Sequence, residues 1–301
     1  MKKIIIIFAL SCSVMLCGAG LKIKDNSTVA FMGDSITQFG HNNEGGYVNL
    51  VTGILKKQGL KIKVVKAGIS GNKSNQMLAR VQKHVIDRKA DFLFLSCGVN
   101  DVWHGVRGVP LEQYKENMTA IVDKCQKAGI TVCIMTATMI REDINSSYNK
   151  KFAAYNDFLR RLASEKKCLL ADTNAAMIKK VDELKKNFPG VKGNLLTTDG
   201  VHMAPSGDMM MAETLLKTVG VPEGKIDFNA LPVKVVVNIS IPCTLSPAAA
   251  TGVKNTTAVK SHIFGRIPVP IAIFNAAFPL ALKEYKNMTG IANYLGISVG
   301  K

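Results

Sequence analysis

From residue 28 onward, short apolar runs alternate with longer amphipathic stretches. Residues 28–32 (TVAFM), 61–65 (KIKVV), 91–97 (DFLFLSC), 131–137 (TVCIMTA) and 168–172 (CLLAD) read as strands. Residues 46–58, 75–88, 110–127, 147–166, 173–187 and 205–219 carry apolar positions at helical spacing. Pro110 suits a helical first turn, because its missing N–H would have no partner there anyway. Strands alternating with helices of this size form β-α-β units, so the pattern predicts an α/β protein with three layers, α/β/α, around a five-stranded parallel sheet. The runs at 91–97 and 131–137 are apolar almost throughout, as strands covered on both faces should be.

In such sheets the ligand lies at the carboxyl ends of the strands. The segments that follow the strands are therefore the informative ones. GDSIT follows the first strand, AGISGNKS (67–74) the second and GVNDVWHG (98–105) the third, and TDGVH (198–202) lies before the last helix. Taken alone, Gly-Asp-Ser is ordinary turn composition.

The four blocks together resemble the SGNH hydrolase (GDSL esterase/lipase) family, in order and at family-like spacing over about residues 28–220. The resemblance implies a flavodoxin-like sheet and assigns roles to Ser35, Gly71, Asn100 and His202, with Asp199 three residues before the histidine. Ser35 would be the nucleophile, His202 its base and Asp199 the group that orients the base. The backbone N–H groups of Ser35 and Gly71 and the side-chain amide of Asn100 would form the oxyanion hole. The stretch GVNDVWHGVRGVPLEQY is similar to secreted bacterial members, some of which deacetylate plant polysaccharides. Trp103 and His104 are candidate substrate contacts at the mouth of the site, with packing and surface roles as the competing readings.

The residue types suit the chemistry. A serine hydroxyl needs an adjacent base. An aspartate beside the histidine selects its tautomer and stabilises the imidazolium. A developing oxyanion needs donors already in place. Glycine permits close approach of backbone, and an asparagine amide donates without competing as a base. Asp34 and Asp101 read as structural, orienting loop backbone. No G-x-S-x-G elbow, H-E-x-x-H, P-loop or dinucleotide fingerprint is present, and no metal or cofactor is implied.

Composition narrows the setting. The 301 residues are 47% hydrophobic and 20% charged, which is globular. Residues 1–20, MKKIIIIFALSCSVMLCGAG, have the layout of a secretory signal, with cleavage after Ala19 or Gly20. This predicts a secreted or periplasmic protein with no transmembrane span in the mature chain. A lipoprotein signal at Cys12 or Cys17 ranks second, because Leu16 is large for the position before the modified cysteine. The formal net charge of +17 draws the chain to anionic surfaces or acidic polymers. No nucleic-acid motif accompanies it. Of the mature cysteines, Cys97, Cys133 and Cys168 fall in or beside apolar strands and read as buried thiols.

Residues 21–222 form the expected hydrolase domain, and 223–301 a C-terminal extension of unassigned role. Residues 234–241 alternate as a half-buried strand. Residues 267–282 are uncharged, but Pro268, Pro270 and Pro279 argue against a membrane helix. A small β-rich appendage and a loosely ordered extension both remain open. The sequence thus predicts an exported serine esterase that removes short acyl groups, chiefly acetyl, from a small-molecule or polysaccharide ester. Its rivals are a lipid- or thioester-directed acylhydrolase of the same family and a catalytically silent polysaccharide-binding envelope protein.

Overall fold

The computed structural model describes residues 20–190, 193–245 and 259–284. Residues 1–19, which include Cys12 and Cys17 and most of the expected signal, lie outside them. The five strands are β1 (Thr28–Gly33), β2 (Lys63–Gly68), β3 (Phe92–Ser96), β4 (Thr131–Met135) and β5 (Leu169–Ala171). All are parallel, in the order β2-β1-β3-β4-β5, which is the flavodoxin-like order. Every residue of β3 is buried. Phe31 of β1 pairs with Phe94 of β3, and their rings stack with centroids 4.8 Å apart. Burial of each such ring stabilises the sheet by roughly 1.5–3 kcal/mol. The edge strand β2 is half solvated, and Lys63 and Lys66 project outward, which protects its unpaired side from further pairing.

The helices are α1 (Ser35–Asn42), α2 (Tyr47–Lys57), α3 (Ser74–Val81), α4 (Val99–Trp103), α5 (Leu111–Lys127), α6 (Ser147–Glu165), α7 (Thr173–Asn187) and α8 (Pro205–Thr218). Helices α1, α2, α7 and α8 pack together in one layer, and α3, α5 and α6 in the other. The helix expected at 75–88 divides into α3 and a π-helical turn, Gln82–Ile86. Helix α1 was not expected. It begins on Ser35 because the Asp34 carboxylate accepts the Ile36 N–H at 2.9 Å, which caps the first turn. Gly68 ends β2, where a Cβ would lie 2.4 Å from the Gln38 nitrogen. The absent side chain is what lets α1 approach the sheet.

The extension forms a β-ribbon, β6 (Lys234–Leu245) paired antiparallel with β7 (Val259–Pro270), and then α9 (Ile271–Glu284). Leu231, Val235, Ile271 and Phe274 are buried in the same core as the parallel sheet. The ribbon and helix are therefore rooted on the hydrolase. Cys97, Cys125 and Cys133 are buried free thiols, and Cys168 is partly exposed. Among the described residues, no helix is long and apolar enough to cross a membrane.

Candidate active site

Ser35 follows β1 and Asn100 follows β3, so both lie at the carboxyl edge of the sheet where the strand order reverses. Ser35 is the first residue of α1. Its Oγ lies 2.9 Å from His202 Nε2, and His202 Nδ1 lies 2.6 Å from Asp199 Oδ2. The second Asp199 oxygen accepts the backbone N–H groups of Val201 and His202 at 3.0 and 2.8 Å. Burial alone would push the Asp199 carboxyl up, but these bonds from His202 and Val201 hold it below its usual value. Asp199 is thus an acceptor, His202 Nδ1 carries the proton, and Nε2 is left to accept from the serine hydroxyl.

A buried carboxylate holds the segment that carries the histidine. Glu142 accepts the N–H groups of Leu195, Leu196 and Thr197 and the Thr197 hydroxyl, at 2.6 to 2.8 Å. The Arg141 N–H donates to Gly200 O at 2.6 Å, inside the Asp199–His202 turn. Nothing in the sequence marked Glu142, because a single glutamate in a loop has no pattern.

On the other side of Ser35, Gly71 is exposed in a left-handed conformation (φ +76°). Among the described residues, neither the Ser35 nor the Gly71 N–H has a hydrogen-bond acceptor. The Asn100 amide donates to Asn72 O at 3.1 Å, while its oxygen accepts from His104 Nε2 at 3.1 Å. That pair of contacts orients the amide and leaves one of its two N–H donors free. His104 therefore touches Asn100 and does not line the cleft beside His202. Trp103 is 37% exposed and stacks on Tyr148, with Arg141 over the far ring.

Asp101 and Asp34 do not reach the serine hydroxyl. Asp101 accepts the Ser74 N–H and hydroxyl, which ties α4 to the segment that carries Gly71. Arg80 donates to Gly33 O, Ala67 O and Asn72 Oδ1, joining the ends of β1 and β2 to that segment. Burial raises the Asp34 carboxyl to about 6 against the opposing Ile36 N–H. No group of three His, Cys, Asp or Glu side chains is placed to hold a metal ion among the described residues.

A cleft of about 360 Å³ opens against His202. Phe39, Thr198, Met203 and Asp208 line it with the histidine, as do Lys234 to Val236 of β6. Phe39, Asp208 and Lys234 carry no mark in the sequence that would single them out. Phe39 becomes legible only once Ser35 is known to start a helix, because it then sits one turn further along the same face.

A serine, an imidazole and a carboxylate in hydrogen-bond series, with unfilled donors nearby, suit acyl transfer. Residues 31–208 match the GDSL-like lipase/acylhydrolase family.

The chain belongs to that family.

It is an ester-bond hydrolase of the SGNH type. An acetylxylan esterase of Geobacillus stearothermophilus is 29% identical over 66% of this chain and 97% of its own. The uncharacterized lipoprotein YqeF of Bacillus subtilis is 25% identical over 75% of this chain and 99% of its own. The crystal structure of Axe2, an acetylxylan esterase from Geobacillus stearothermophilus, aligns with a TM-score of 0.59 at 28% identity, covering 66% of this chain and 97% of that one. Three solved catalytic mutants of Axe2 alter a serine, a histidine and an aspartate, the aspartate three positions before the histidine.

Proposed function

We propose that this protein is an exported serine esterase that removes acetyl groups from carbohydrate. The observation that carries the reading is the unbroken series from Ser35 Oγ through His202 to Asp199, at 2.9 and 2.6 Å. The residue types altered in the Axe2 catalytic mutants, and their spacing, support the same roles for Ser35, Asp199 and His202. The acetylxylan esterase relative supports the substrate class. The signal-like residues 1–20 support export.

In this mechanism Ser35 Oγ attacks the acyl carbon as its proton passes to His202 Nε2. The carbonyl oxygen becomes an oxyanion and accepts the Ser35 and Gly71 N–H groups and the free N–H of Asn100. His202 returns the proton to the departing sugar hydroxyl, which leaves an acyl-serine. Water then attacks that ester, His202 takes the water's proton, and the carboxylic acid is released. Asp199 stabilises the imidazolium in both halves.

The test is acetate release from acetylated xylan, with nitrophenyl acetate and octanoate run in parallel. The wild type is expected to release acetate and to favour the acetyl over the octanoyl ester. Ser35→Ala is expected to lower kcat by at least about 10⁴-fold and to abolish fluorophosphonate labelling. Faster turnover of octanoate overturns the substrate class, and labelling of the alanine variant overturns the nucleophile.

A further inference from the structure

The cleft beside His202 is not built by the family core alone. One wall is β6, which lies beyond the residues matched to the family. Val235 is 2% exposed and packs against Gly45, where a Cβ would lie 2.5 Å from Val235 Cγ1. Strand alternation puts Lys234 and Val236 on the opposite face from Val235, and both are exposed there. The strand is pinned in this position. The Lys234 N–H donates to Glu44 at 3.2 Å, and the Ile271 N–H donates to Val233 O at 3.2 Å.

The direction of the reaction identifies which half of an ester meets this wall. The base protonates the leaving alcohol, so the alcohol half lies on the imidazole side of Ser35. The acyl oxygen faces the other way, toward the N–H groups of Ser35 and Gly71. The cleft is lined by His202 and not by Ser35, Gly71 or Asn100, which puts it on the side of the alcohol half.

Charges of both signs lie at the cleft: Asp199 and Lys234 line it, and Glu44 accepts the Lys234 N–H at 3.2 Å. Among the described residues Lys234 makes no ion pair. The Asp199 carboxylate is engaged by His202. Burial raises the Asp208 carboxyl to about 8, so it is mostly neutral at pH 7.

We propose that Lys234 and Val236 of the C-terminal strand form the alcohol-side subsite and select acetylated glycans that carry carboxylates, that is, uronic-acid residues. The proposal rests on the reading as a carbohydrate esterase. Val236 supplies an apolar contact for the sugar ring, and Lys234 supplies the cation that recognises the carboxylate.

The experiment compares wild type with Lys234→Glu on two acetylated xylo-oligosaccharides, one with and one without uronic-acid branches. The ratio of their kcat/KM values is expected to favour the uronic substrate in wild type and to fall about tenfold or more in the variant. An unchanged ratio overturns the proposal. A second measurement does not depend on glycan turnover: a deacetylated uronic oligosaccharide is tested as an inhibitor of nitrophenyl acetate hydrolysis. It is expected to inhibit wild type, with an inhibition constant about tenfold or more higher in Lys234→Glu. Absence of inhibition, or an equal constant in both proteins, overturns the subsite. Wild type that is inhibited in this way, with the higher constant in the variant, yet releases no acetate from either glycan upholds the subsite and overturns the carbohydrate-esterase reading. Acetate release from both glycans with an equal constant does the reverse.

Discussion

The Phe39 ring packs against the His202 imidazole, with centroids 4.8 Å apart and planes tilted by 45°. Helix α1 thus contributes twice to one site, through Ser35 at its start and through the ring one turn later. The imidazole is held on one edge by Asp199 and on one face by Phe39. Phe39→Ala is expected to loosen the imidazole and lower kcat about tenfold, in line with losses on removing an orienting partner. The side chain is 42% exposed, so the cost in stability should stay below about 1 kcal/mol. Kinetics on nitrophenyl acetate and a thermal melt check both parts.

Asp199→Asn removes the acceptor that makes His202 Nδ1 a donor. The expected loss in kcat is on the order of 10³- to 10⁴-fold, with KM changed little, as for the same change in other triads. A loss of tenfold or less would mean that the carboxylate only shapes the turn.

Glu142→Ala leaves the buried N–H groups of Leu195, Leu196 and Thr197 without their acceptor. At about 1–3 kcal/mol for each unsatisfied group, the expected destabilisation is about 3 kcal/mol or more. Glu142→Gln keeps one acceptor oxygen and is expected to fall between wild type and alanine. Denaturant titration reads the stabilities. The kcat values should follow the same order, because this segment carries His202.

Asp208 makes stability depend on pH. Burial raises its folded value to about 8 against the opposing Tyr47 N–H, whereas the unfolded chain titrates near 3.9. Between those values the folded state holds the extra proton. The Asp208 contribution is therefore fully present below about pH 4 and is lost as pH rises toward 8. Asp208→Asn does not titrate and keeps an oxygen for the Tyr47 N–H. Its Tm should match wild type near pH 4 and exceed it by a growing margin up to pH 8. A constant difference across that range would contradict the assignment.

Two glycines should respond to different degrees. A Cβ at Gly68 would meet the α1 backbone at 2.4 Å (Gln38 N) and 2.7 Å (Thr37 C), and neither atom can move alone. Gly68→Ala is expected to cost about 2–3 kcal/mol and to shift Ser35, so Tm and kcat fall together. A Cβ at Gly71 meets nothing within 4 Å, and only its φ of +76° resists it. Gly71→Ala should cost about 1 kcal/mol, so its Tm falls less than that of Gly68→Ala.

The central strands and long helices were legible because burial on both faces and helical spacing leave strong patterns. The exceptions have physical causes. Strand β2 runs to Gly68, past the expected 65, because pairing with β1 continues through Gly33 while its solvated side admits Lys66. Helix α4 has five residues, too few for a period to show. Strand β7 contains Pro268 and Pro270, which read as breakers but are tolerated at the unpaired edge of a two-stranded ribbon. In the site, Ser35, Gly71, Asn100, Asp199 and His202 could be named because each sits in a compact block. Glu142 and Lys234 act through tertiary placement alone. Lys234 reaches the cleft only because Val235 fits the space left by Gly45.

Ser35 and His202 meet across 167 positions of sequence. During synthesis the serine emerges early, while the imidazole follows only after all five strands and α7 have been made. The nascent chain is therefore chemically inert. Both partners are present only once residues 35 to 202 have been made. Hydrolysis therefore reports that two distant parts of the chain have been brought together.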